Sequence, residues 1–273
     1  MLRLESETGW WLVTHPDHAR LAGAFAQAWG NERFLPPEPR RNVLLGIRCH
    51  DDGWAARDAA PQITREGKPS AFSTELVGKY SAFEEIDLED YLAVRDRAVR
   101  LMAEEDAYAG LLVSMHTYNL LTERADRSTI QPEKLHLLDR FLEAQREFQE
   151  GLQVRVRSDR GLTDEETSET RISDHFRLLQ ATDNLSLLSC VGFTKLATLL
   201  HPLPLRDGAY AEVHVESIGE RRFRLDPYPF SDKAVTLEFP ARHVEGKRFT
   251  TGSELQARFA EAPITNLQVT VSE

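Results

Sequence analysis

The chain has 273 residues, 28% of them charged and 41% hydrophobic, a globular composition that excludes disordered, collagenous and coiled-coil readings. Its net charge of −11 offers no positive surface for counterion release, so neither nucleic acid nor an anionic membrane is an expected partner. No apolar stretch approaches the ~20 residues of a membrane helix, and the first residues carry acids in place of an apolar signal core. Two cysteines, Cys49 and Cys190, form no CxxC pattern and no disulfide framework. A reduced, cytoplasmic protein is the expectation.

Residues 1–14 contain Trp10-Trp11-Leu12-Val13 and read as a strand. Thr14-His15-Pro16-Asp17 then announces a helix with a capping hydroxyl, an early Pro and a first-turn acid. That helix runs to Trp29-Gly30, and prolines mark 34–39 as a loop. A second helix covers 41–49 and ends in His50-Asp51-Asp52-Gly53-Trp54. Residues 57–90 carry little periodicity and read as a long irregular excursion. Helical patterns follow over 88–123, 132–150 and 172–200, with a polar connection at 157–169. From 209 onward, short alternating runs such as Ala211-Glu212-Val213-His214-Val215 read as strands. The pattern predicts a mainly α fold: a helical bundle over 15–204, with a small β-rich brace from 205–273 joined by 1–14. The brace contains no ligand cluster, so no catalytic residue is expected there. The basic run Arg221-Arg222-Phe223-Arg224 reads as a solvated strand face.

Polar residues that fall on apolar helix stripes carry the functional signal. Residues three or four apart share a face. His18 lines up with Ala22, Phe25 and Trp29; His50 with Val43 and Ile47; His116 with Ala109, Leu112 and Leu120; Asp183 with Phe176, Leu179, Leu187 and Cys190. Asp51 follows His50 directly. A lone buried histidine is usually a satisfied core residue, and a buried acid is costly unless a cation or several donors hold it. One metal ion would answer all four stripes, because imidazole and carboxylate are common ligands of zinc, iron and manganese.

The order His18, His50-Asp51, Asp183 resembles the HD-domain superfamily of helical metal-dependent phosphohydrolases. His50-Asp51-Asp52-Gly53 resembles that group's His-Asp-x-Gly turn, and Ala181-Thr182-Asp183-Asn184-Leu185-Ser186 resembles its closing helix. The resemblance covers about residues 15–195. It implies an HD-like bundle and a site of His18, His50, Asp51 and Asp183 holding iron, manganese, zinc, cobalt or nickel, as one or two ions. It places His116 on a second ion or against substrate, polarising a phosphate; Asp52, next to the His50-Asp51 pair in sequence, is the candidate acceptor or base beside the ligands. Where the superfamily often has Lys after the Gly, this chain has Trp54, and Arg57 is the candidate for that charge. The implied activity is hydrolysis of a small phosphorylated molecule by metal-activated water. The alternatives are an HD-type di-iron oxygenase and a non-catalytic ligand-binding protein that retains a metal. The whole chain is also similar to an uncharacterised bacterial family catalogued as a domain of unknown function. Nothing in the sequence indicates an oligomeric state.

The remaining candidates weigh less. His136 could be a further ligand, but its neighbours Pro132, Glu133, Asp139, Arg140 and Glu143 make a solvated face. His15 reads as a cap residue or the pocket mouth, Asp58 as a loop residue and His175 as structural. His201, His214 and His243 read as surface or turn residues. Ser114 lacks a Gly-x-Ser-x-Gly elbow, and Cys49 and Cys190 read as small hydrophobes. No Walker lysine or Gly-x-Gly-x-x-Gly run cradles a phosphate.

Overall fold

A computed structural model describes residues 1–74 and 87–273. The chain opens not with one long strand but with a hairpin of β1 (Leu2–Glu5) and β2 (Gly9–Val13). Thr14 then caps α1 (His15–Ala28): its hydroxyl accepts from the Asp17 backbone N–H and donates to the Asp17 carboxylate at 2.5 Å. α2 (Arg40–Cys49) packs across α1 at Gly23, where an added Cβ would stand 2.6 Å from Arg48 Cβ. Only glycine permits that approach, and it draws His18 and His50 together.

A 3₁₀ turn over Asp52–Trp54 leads into α3 (Ala55–Asp58). Part of the expected 57–90 excursion, residues 75–86, lies outside the described residues. The helical pattern of 88–123 is two helices and not one. α4 (Leu88–Glu105) stops at Asp106, which turns extended and accepts from Ala109 N–H to cap α5 (Ala107–Asn119). A π-helical turn, Leu120–Arg124, closes α5. α6 (Leu135–Arg157) and α7 (Glu169–Cys190) follow. α7 ends ten residues earlier than its pattern predicts, because Gly192 takes a left-handed φ of 68° and turns the chain away. Among the described residues no helix is long and apolar enough to cross a membrane.

The rest is β3 (Leu196–Thr198), β4 (Leu203–Pro204), β5 (Tyr210–Ala211), β6 (His214–Gly219), β7 (Arg222–Asp226), β8 (Ala234–Glu245), α8 (Gly252–Glu261) and β9 (Ile264–Ser272). Seven strands form one mixed sheet in the order β1-β2-β8-β9-β7-β6-β3. β7 and β9 run parallel and the other pairs antiparallel. This overturns the expected mainly α bundle with a small brace. About half of the described residues are helical, and the β part is a full sheet. The reason is long-range pairing: β2 joins β8 with Trp10 opposite Val244, a partnership across more than 200 positions that local alternation cannot count. α8 was also hidden among strand-like runs. Its cap Thr251 and buried Leu255 and Phe259, four residues apart, are nonetheless helix grammar.

One apolar cluster contains Phe25 and Leu111 from the helices, Leu185 from α7, and Phe223 and Val269 from the sheet. Helices and sheet therefore share a core across position 204.

Candidate metal centre

Four helices deliver polar side chains to one buried point. His18 projects from α1, His50 ends α2 with Asp51 directly after it, His116 sits in the last turn of α5, and Asp183 lies within α7. None of the five is more than 5% exposed. Ligand atoms of His18, His50 and Asp51 lie within 4.8 Å of one another, and so do those of His50, His116 and Asp183. His50 belongs to both groups.

The proton positions on two of the imidazoles follow from their neighbours. Ser186 donates its only hydroxyl proton to the Asp183 carbonyl at 2.8 Å, so its oxygen accepts from His18 Nδ1–H at 2.9 Å. His50 Nδ1–H donates to the Ile47 carbonyl at 2.7 Å, and a carbonyl can only accept. In their neutral forms both rings therefore aim an Nε2 lone pair at a carboxylate. His18 Nε2 is 3.1 Å from Asp51 Oδ2. Among the described residues His50 Nε2 has no hydrogen-bond partner, while Asp183 Oδ1 lies 3.3 Å and Asp51 Oδ2 3.9 Å away. Lone pair against carboxylate is repulsive. Each contact calls for a cation between the two atoms, either a proton or a metal.

Electrostatics give the same picture. Burial alone would lower the His50 pKa, but Asp51 and Asp183 outweigh it and raise it to about 9. Burial and the charge on His50 together push His116 down to about 3. Burial would raise both carboxyls, yet Arg95 and His50 hold Asp51 well below the usual carboxylate range, and His50 holds Asp183 down. Without a metal, a protonated His50 and Arg95 balance two carboxylates.

Arg95 is a site residue that the sequence reading missed. From α4 it donates to Asp51 Oδ1 at 2.5 Å, and its guanidinium lies 5.3 Å from the ring centres of both Trp54 and Tyr91. The signal that could have found it is the stripe Leu88, Tyr91, Leu92, Arg95, Val99, all buried. An Arg on an apolar stripe is as telling as a His. Gln180, also unremarked, is wholly buried on α7 with its amide nitrogen placed 2.8 Å from His116 Nδ1.

Other candidates fall elsewhere. Asp52 does not join the cluster: it turns outward to Arg20 at 2.7 Å, with a side chain 36% exposed. His136 is exposed. His15 stacks on Trp54 at 4.7 Å and bonds Asp58, which also accepts the His15 backbone N–H. Asp58 is thus a buried helix-capping acid and not a loop residue. His175 is buried against the Tyr108 hydroxyl at 2.8 Å, and Ser114 donates to Gln145. His201 edges Phe176, while His214 meets Thr198 and His243 packs on Trp11. Cys190 is buried and Cys49 half-buried.

A family model described as "Protein of unknown function (DUF3891)" matches residues 1–246. The chain belongs to that family. The match covers all five clustered residues and stops at the end of β8. Comparison with curated proteins and with solved structures finds no match.

Proposed function

We propose that this chain is a metal-dependent hydrolase that holds one divalent transition-metal ion with His18, His50, Asp51 and Asp183 and acts on a small phosphorylated molecule. The observation that carries the metal is the pair of imidazole Nε2 atoms aimed at carboxylate oxygens, with their Nδ1 protons already committed elsewhere. Nitrogen and oxygen donors together suit iron, manganese, zinc, cobalt or nickel. A single ion is favoured because both ligand groups need His50, which has only Nε2 to give. The di-iron alternative calls for a second ion and a further ligand, and exposed His136 does not supply one.

The reaction class rests on the resemblance of this ligand order to the HD-domain phosphohydrolases. A divalent ion at such a site supplies Lewis acidity toward a phosphoryl oxygen and lowers the pKa of water. The protein's own residues do the rest. Arg95 occupies Asp51 Oδ1 and leaves Oδ2 for the ion. Ser186 and Ile47 fix the orientation of two rings. Two carboxylates against Arg95 and a divalent ion leave one positive charge in excess, which favours an anionic substrate. Asp52, tied to Arg20, is not assigned the base.

Elemental analysis of untagged protein tests the metal, with His50→Ala and Asp183→Ala as comparisons. One equivalent of metal in the parent and none in the variants is expected; equal content in all three overturns the reading. A phosphatase screen with added manganese or cobalt tests the reaction. Bound metal without turnover of any phosphate ester would leave the non-catalytic alternative standing.

A further inference from the structure

His116 is the one imidazole of the cluster whose proton is not placed by a fixed acceptor. Ile47 O can only accept, and Ser186 Oγ has given its proton away, so His50 and His18 each have one neutral tautomer. His116 Nδ1 instead meets the side-chain amide of Gln180 at 2.8 Å. A carboxamide can present either end. Its NH₂ donates to a bare Nδ1, or its carbonyl accepts from Nδ1–H, and half a turn of the amide exchanges the two. With the NH₂ toward His116, the ring proton sits on Nε2 and blocks ligation there, while Gln180 Oε1 is buried without a partner among the described residues. With the carbonyl toward His116, the proton sits on Nδ1 and the Nε2 lone pair is open.

We propose that Gln180 is the positioning residue that makes His116 a metal ligand. Its amide oxygen holds the proton on Nδ1, so that Nε2 goes to the same ion as His50 and Asp183. Three observations converge on this assignment. His116 is 1% exposed and Gln180 has no exposed surface, so water does not compete for the contact. The His116 and His50 ring centres are 4.9 Å apart, and ligand atoms of His116, His50 and Asp183 lie within 4.8 Å of each other. Gln180 also stands three residues before Asp183 on the same helix, so one element carries both a ligand and the group that orients another. An acceptor behind a ligating imidazole is a general device that sets its tautomer and basicity. His18 uses a hydroxyl, His50 a backbone carbonyl, and His116 an amide.

The inference rests on the metal reading above, and the experiment separates the two. Elemental analysis and Zn²⁺ titration of the parent come first; a parent that takes up no Zn²⁺ overturns the metal reading and this one with it. On a parent that binds Zn²⁺, nitrogen-15 NMR of the histidine rings is expected to show His116 protonated at Nδ1 and coordinated through Nε2. A His116 Nε2–H that persists with Zn²⁺ bound overturns the proposal. Gln180→Leu, which removes the acceptor, is expected to weaken Zn²⁺ binding about 10- to 100-fold. Gln180→Glu, whose carboxylate can only accept, is expected to retain or tighten it. Equal weakening in both variants means a packing role and overturns the proposal. The NMR measurement uses the parent alone, so the test stands even if a variant fails to fold.

Discussion

The helices from α1 to α7 bury His18, His50, Asp51, Arg95, His116 and Asp183, whereas the chain beyond Ser189 buries only apolar side chains among the described residues. Both regions share one core, yet they are stabilised differently. The sheet is held by backbone ladders and by residues such as Phe223, Leu225, Phe239 and Val269, which are at most 1% exposed. The helical region accepts buried charge, which is costly and tolerated only when compensated. That compensated polar burial gathers the groups that could hold a metal ion.

The largest effect that would sharpen this contrast is on metal content. Asp183→Asn removes a carboxylate facing His50, and metal per chain should fall to background while the protein stays folded; retained metal would break the division between the two regions. Next comes Arg95→Leu. It leaves Asp51 with an uncompensated charge in the metal-free protein, an expected loss of about 3–5 kcal/mol, read from the denaturant midpoint. Arg95→Lys should recover part of it. In the sheet, Leu225→Ala should cost about 2–5 kcal/mol by leaving a cavity, with metal per folded chain unchanged.

Smaller effects lie in the pH dependence, where two buried histidines act in opposite directions. His50 has a folded pKa raised to about 9. Its contribution to metal-free stability is therefore complete below about 6.5 and fades as pH rises toward 9. The same proton competes with a metal, so affinity should climb about tenfold per pH unit up to about 9; a flat profile would deny His50 a place on the ion. His175 has a folded pKa lowered to about 3, because burial and then Arg171 disfavour its charged form. Its contribution is complete above about 6.5 and is lost as pH falls from there toward 3. Melting curves of His175→Phe should show a shallower acid slope than the parent. Tyr108 keeps its bond to the Glu166 carbonyl in that variant.

Four of the five clustered residues were legible in the sequence because each is a polar side chain on an otherwise apolar 3.6-residue stripe, and Asp51 was legible as the neighbour of His50. Burial of an unpaired acid or imidazole is expensive enough that the pattern itself signals a partner. Arg95 and Gln180 are likewise buried polar side chains on helices, but neither is a usual metal-ligand type, so their role shows only in their contacts with Asp51 and His116. Asp52 shows the limit of adjacency: it follows Asp51 in the chain, but the 3₁₀ turn that begins at Asp52 lets it leave the buried cluster, and Arg20 offers a partner at the surface. Asp58 shows the converse, a residue in a short unpromising segment buried by its bond to the start of α1.

By itself the sequence determined the helix start at Thr14, the strand character of most of the chain from residue 209 onward, and the polar intrusions on four helix faces. These depend on local backbone chemistry and on periodicity, which a chain carries wherever it folds. Tertiary structure decided the rest. It joined the N-terminal hairpin to β8 to complete a seven-stranded sheet, set Arg95 on Asp51, and backed the three imidazoles with Ser186, Ile47 and Gln180. Those choices are made by contacts between segments distant in sequence, or by which of two neighbouring protons has an acceptor within reach, and no local pattern encodes either.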